Sequence, residues 1–317
     1  MPTNEKAPLH KPMQEKPGKS LSLIENSGWD QRLHLFRAGA EVDTAALITQ
    51  RYLVLIDTMA TPELAAEIMT TMRPWLEGRQ LLVINTHADY DHCWGNATFA
   101  SPGGAYPAPI IAHEQAGARL RSAEAQASLA KRQQQDTRFA QVQLVEPTIT
   151  FTESLHVNGG DLTLELLPTP GHTEDHLSIW IPELRLLLAG DAAEQPFPHV
   201  EEAATLPTLL ASLERMAGLH PAQVIPCHGG TTDAALLERN LAYFAEVERR
   251  AALALKAGLI PADWRERGEI PELMSLPYTE ALRLVGADEA STPAFYQDFH
   301  LAAVRATLGH LMVAGKR

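Results

Sequence analysis

The sequence predicts an α/β protein, with a strand-rich unit to about residue 231 and a helical extension from there to residue 317. Three observations carry this. Short apolar runs recur up to Ile225, several of them alternating as half-buried strands do. From Thr232 onward, helical spacing takes over. Several of the early runs end directly in histidine or aspartate, so chemistry gathers at strand ends.

Arg32 to Ala38 alternates apolar and polar residues and reads as a strand. Thr44 to Thr49 and Tyr52 to Ile56 add two more, the second ending at Asp57. Pro62 to Leu76 carries Leu64, Ile68, Met72 and Leu76 at helical spacing, with Thr61 as its N-cap. Leu81 to Asn85 and Pro109 to Ala112 are short apolar strands. Ala116 to Arg138 is rich in Ala, Gln, Arg and Glu, which predicts one polar helix, a surface insertion. Strands follow at 148–151, 162–167, 177–181 and 184–188, with Asn158-Gly159-Gly160-Asp161 as a hairpin turn between the first two. Val224 to Pro226 is a last short strand before His228. Helices are then expected over 234–256, 271–285 and 293–313.

With 317 residues, 45% of them hydrophobic, the chain can bury a large core. Its net charge of −13 opposes nucleic acid and anionic lipid as partners. Two cysteines make no disulfide framework, while thirteen histidines direct attention to metal chemistry. No apolar run is long enough for a membrane span. Residues 1–20 are polar, are interrupted by Pro2, Pro8, Pro12 and Pro17, and lack the apolar stretch of a secretory signal. They read as a flexible arm, and the expected location is the cytoplasm.

The strongest feature is His87-Ala88-Asp89-Tyr90-Asp91-His92, four metal-ligand side chains within six residues, directly after a strand. Imidazole with carboxylate suits zinc, iron or manganese. His172 follows Pro170-Gly171 in a turn, Asp191 follows Ala189-Gly190, and His228 precedes Gly229-Gly230. Each alone is an ordinary residue of its type; all four segments in this order, each after a strand, form a specific pattern.

In this pattern the chain resembles the metallo-β-lactamase-fold superfamily, over about residues 30 to 231. The resemblance implies an αββα sandwich, here over 21–231, with residues 232–317 as a helical extension packed on it. It implies that His87, Asp89 and His172 hold one metal, that Asp91, His92 and His228 hold a second, and that Asp191 bridges them. The usual motif is H-x-H-x-D-H, so this chain departs from it at Asp89. Three carboxylates around two divalent ions leave a formal charge of +1. The shorter arm of Asp89 implies either one tightly held metal in the second position or a preference for iron or manganese over zinc.

The implied activity is hydrolysis of an ester, thioester, lactone or amide-like bond in a small molecule. Zinc, one or two per chain, would lower the pKa of water from near 16 toward roughly 7, and the hydroxide would attack an electrophilic carbon. Asp91 would orient that hydroxide or relay a proton. An iron-dependent oxidative enzyme on the same fold is one alternative; a metal-binding or sensing protein without turnover is another.

Around these residues, Cys93 and Cys227 read as small buried side chains, Trp94 as core or pocket wall, and Asp57 as a hydrogen-bond partner of a ligand. His113 and Glu114 read as surface residues or supports of a ligand, and His176 as a support. Phe197, in the irregular loop after Asp191, is a candidate to face the substrate. Tyr296, Phe299 and His300 share one helix face, which is a packing stripe, a lid or a homodimer contact.

Overall fold

The computed structural model describes residues 21–314. The arm expected over 1–20 lies outside the described residues. Two sheets pack face to face with helices on both outer sides. The first sheet runs β1 (Leu21–Leu23), β2 (Leu33–Ala38), β3 (Val42–Ile48), β4 (Tyr52–Ile56), β5 (Gln80–Ile84), β6 (Ile110–His113) and β7 (Ile149–Phe151), in that spatial order. Its β4 to β7 are parallel. The second sheet contains β8 (Leu155–Asn158), β9 (Thr163–Pro168), β10 (Leu177–Ile181), β11 (Leu186–Gly190) and β12 (Gln223–Pro226), in the order β12-β11-β10-β9-β8.

Period-two patterning builds the layers. In β4, Val54 and Ile56 face the inter-sheet core, while Leu53 and Leu55 face the outer helices. In β11, Leu186 and Leu188 point inward, while Leu187 and Ala189 point outward. Strands apolar on both faces must be covered on both, as the helices on either side require. On the first sheet the cover is α1 (Pro62–Met72), α2 (Tyr90–Cys93) and α3 (Ala97–Ala100), followed along the chain by α4 (Glu114–Arg121) and α5 (Ala123–Gln135). On the second it is α6 (Leu206–Ala217), α7 (Leu236–Lys256), α8 (Ile270–Leu273), α9 (Tyr278–Leu284) and α10 (Tyr296–Ala314). One continuous apolar core joins Trp180 and Leu187 of the second sheet to Tyr243 and Val304 of these helices.

Several expectations need correction. The helix expected over 116–138 is two helices, because Ser122 leaves the helical region and caps the second one. The turn at 158–161 joins β8 to β9; β8 is a strand not anticipated, and β7 belongs to the other sheet. Helix α6, inside the strand-rich part, is also unanticipated. The helix expected over 271–285 is broken before Tyr278 by Pro277. Helix α1 ends at Met72 and continues as a 3-10 turn through Pro74, short of Leu76. No helix among the described residues is long and apolar enough to cross a membrane.

Candidate metal centre

The loops that follow β5, β9, β11 and β12 meet at one edge of the sandwich and bring seven side chains together. The β5 loop is mounted rigidly. Single-turn helix α2 follows Asp89 at its N-cap position, and its end is tied down by the Thr58 N–H donating to the His92 carbonyl at 2.7 Å. Asn96 and Asn85 exchange side-chain hydrogen bonds at 2.8 and 3.1 Å beneath it. Gly190 turns the chain at φ 57°, where a Cβ would stand 2.5 Å from Nε2 of His176. That position accepts only glycine, and it delivers Asp191 to the centre.

Oδ2 of Asp191 is the hub. It lies 3.2 Å from Nε2 of both His92 and His228, and 3.7 Å from Nε2 of both His87 and His172. Oδ2 of Asp89 lies 3.5 Å from His87 and 3.4 Å from His172. Asp91 lies 3.8 Å from His92 and 3.7 Å from His228. The seven thus fall into two three-donor groups, His87–Asp89–His172 and Asp91–His92–His228, with Asp191 between them.

Most of these separations are long for hydrogen bonds, and they fit a common ion. Donors about 2.1 Å from one tetrahedral ion stand about 3.4 Å apart. Nε2 of His87, His92 and His172 and Oδ1 of Asp191 are buried and have no hydrogen-bond partner. Buried polar atoms left so cost about 1–3 kcal/mol each, so four converging ones fit a cation-binding centre. Electrostatics agrees. Burial works against charge on His228 and His172, yet Asp191 pushes the first up to about 10 and Asp89, by hydrogen bonding, pushes the second up to about 9. The centre attracts positive charge.

The next layer fixes the donors. Asp57 accepts from Nδ1–H of His92 at 2.9 Å and from Thr86 through both backbone and hydroxyl at 2.7 Å. His176 supports the centre without joining it, its Nε2 accepting the Asp191 N–H at 2.9 Å. Cys93 and Cys227 lie against the centre, and burial pushes both thiols up, so neither is a thiolate nucleophile. Trp94 is core, edge-on to Phe139 and Tyr90. His113 is buried and caps α4 rather than lying on the surface. Phe197 does not face the centre; it is fully buried and stacked on Tyr243 at 4.2 Å, because the helical extension folds back over its loop.

The model of the metallo-beta-lactamase superfamily matches residues 41–228. The chain belongs to the metallo-beta-lactamase superfamily. It is 25% identical over 245 residues to a type 2 metallo-beta-lactamase of Bacillus cereus, covering 73% of this chain and 85% of that one. It is 38% identical to a beta-lactamase-like protein 2 homolog of Caenorhabditis elegans, over only 22% of this chain and 23% of that protein. A metallo-beta-lactamase family protein of Thermus thermophilus shares the fold at a TM-score of 0.59 and 20% identity, over 93% of this chain and 94% of that one.

Three residues at this centre, Arg119, Asp175 and Glu194, were given no role on sequence alone, and the link from Tyr296 to it was not foreseen. Arg119, expected on a surface helix, reaches Asp89 and Asp175 at 2.6 Å each. Asp175 is fully buried; its nearness to His172 in sequence was the available signal. Glu194, buried three residues after Asp191, groups with His172 and Asp191. Tyr296 donates to Glu194 Oε2 at 2.7 Å, so the aromatic stripe of α10 is a packing face that also touches the centre.

Proposed function

We propose that the chain is a metal-dependent hydrolase acting on an ester, thioester, lactone or amide-like bond in a small molecule. The observation that carries this is Oδ2 of Asp191 standing within 3.7 Å of Nε2 on four histidines, shared by two three-donor groups. His87, Asp89 and His172 would hold one ion, Asp91, His92 and His228 a second, and Asp191 both. Zinc bound there supplies a Lewis acid and brings the pKa of water from near 16 to about 7.

The protein's own part is positioning and proton handling. Asp57 holds the His92 ring from behind, through Nδ1. Asp91, buried beside His92 and His228, is the carboxylate placed to take the attacking water's proton and return it to the leaving atom. The net charge of −13 and the compact centre favour a small substrate over a polyanion.

The test is elemental analysis of protein purified without added metal, followed by turnover on ester, thioester and lactone panels. Zinc at one to two per chain with turnover on one panel supports the reading. Protein that takes up no metal on titration refutes it. The carboxylate of Asp89 favours a second reading, an iron centre with oxidative chemistry. Iron near two per chain with oxygen uptake would replace the first reading by this one.

A further inference from the structure

We propose that Arg119 is the positioning residue that makes Asp89 a one-oxygen metal donor, so that a carboxylate can stand where the superfamily's motif has imidazole. This rests on the metal-centre reading above. An imidazole offers one lone pair in one direction, whereas a carboxylate offers two oxygens and can chelate, bridge or swing between ions. Here the second oxygen is taken. Nη2 of Arg119 donates to Oδ1 of Asp89 at 2.6 Å, leaving only Oδ2 facing His87 and His172.

The guanidinium is itself held. Its Nη1 donates to Oδ1 of the fully buried Asp175 at 2.6 Å, and Oδ2 of Asp175 accepts the N–H of Ala88 at 2.8 Å. Arg119 is therefore clamped to the backbone of the residue just before Asp89, and the β5 loop, α4 and the loop around His172 close on one another. Ala116 and Leu120, both buried, anchor α4 so that Arg119 faces inward. Two carboxylates engaged at two different nitrogens require a planar fork, which lysine does not offer. The same engagement argues against a role in binding an anionic substrate.

The experiment is a zinc and cobalt titration of the stripped full-length chain against a competing chelator, with cobalt absorption reading each position. It compares wild type, Arg119→Met, Arg119→Lys, Asp89→His and the double variant Asp89→His with Arg119→Met. Expected is a roughly 10–100-fold loss of affinity at the Asp89 position in Arg119→Met, with the other position unchanged. Lysine, which keeps the charge and is the safer variant for folding, shows the same direction of loss. In the Asp89→His background, removing Arg119 changes neither position, because histidine needs no second oxygen restrained. Wild-type affinity in both Arg119 variants overturns the proposal, as does an equal loss with and without Asp89→His, which would make Arg119 a general brace. A wild-type chain that binds no metal overturns the metal centre itself and this proposal with it.

Discussion

Oδ2 of Asp57 stands 2.9 Å from Nδ1 of His92, at a backbone position with φ of 65°. The contact holds the Nδ1 proton on the Asp57 side, so Nε2 is the nitrogen left to face the metal position. Asp57→Ala is therefore expected to weaken zinc at the Asp91–His92–His228 position by about 10–100-fold. Asp57→Asn, which still accepts from Nδ1–H, recovers part of the loss. Chelator competition measures both; affinities equal to wild type would show that the contact only packs the loop.

Removing metal leaves three carboxylates and four imidazoles facing one another with little hydrogen bonding among them. An ion present at a thousand times its dissociation constant stabilises the folded state by about 4 kcal/mol. For a chain of this size, that corresponds to a fall in melting temperature on the order of 8 °C after chelation. Zinc added back restores it. Calorimetry with and without chelator decides; an unchanged transition would mean that the centre holds no ion.

The sequence revealed most where a pattern was local. His87 to His92 lie in one short segment after β5, Asp191 directly follows β11, and His172 and His228 lie in the loops just after β9 and β12, so position in sequence brings them to one edge. Short apolar runs likewise located most of the strands, whereas the sandwich was what the family resemblance implied. What was illegible depends on distant pairing. Nothing within α4 says that Arg119 turns inward, because a polar helix ordinarily faces water, and its partners lie 30 and 56 residues away. Phe197 looked available because its loop is irregular; it is buried because Tyr243, 46 positions later, stacks on it. The break at Ser122 was local but subtle, since serine is tolerated inside helices and its capping role appears only in its backbone angles.

Tyr296 ties the last helix to the centre through Glu194. Burial raises the Glu194 carboxyl to about 7, and the remaining oxygen, Oε1, has no partner. Tyr296→Phe removes the one hydroxyl donated to this buried group. The expected cost is about 1–3 kcal/mol of stability, with metal content unchanged. Turnover on the productive panel should also fall, because the loop 192–199 follows directly on Asp191. Thermal unfolding, elemental analysis and kcat/KM together test this. Unchanged stability would show that the Tyr296–Glu194 hydrogen bond contributes nothing.

Metal uptake should release protons. Asp89 and Asp191 raise His172 to about 9 and His228 to about 10, so at pH 7 both imidazoles of the metal-free protein are protonated. Ion binding needs them neutral, so each must give up its proton. The sign follows: apparent affinity rises with pH up to these values, by about tenfold per pH unit for each proton displaced. It falls steeply under mild acid. Calorimetric titration in buffers of different ionisation enthalpy counts the protons, and at pH 7 at least two are expected for a fully loaded chain. Fewer than one, or an affinity flat between pH 6 and 8, would mean that the carboxylates do not charge the histidines and that the centre is preorganised in its neutral form.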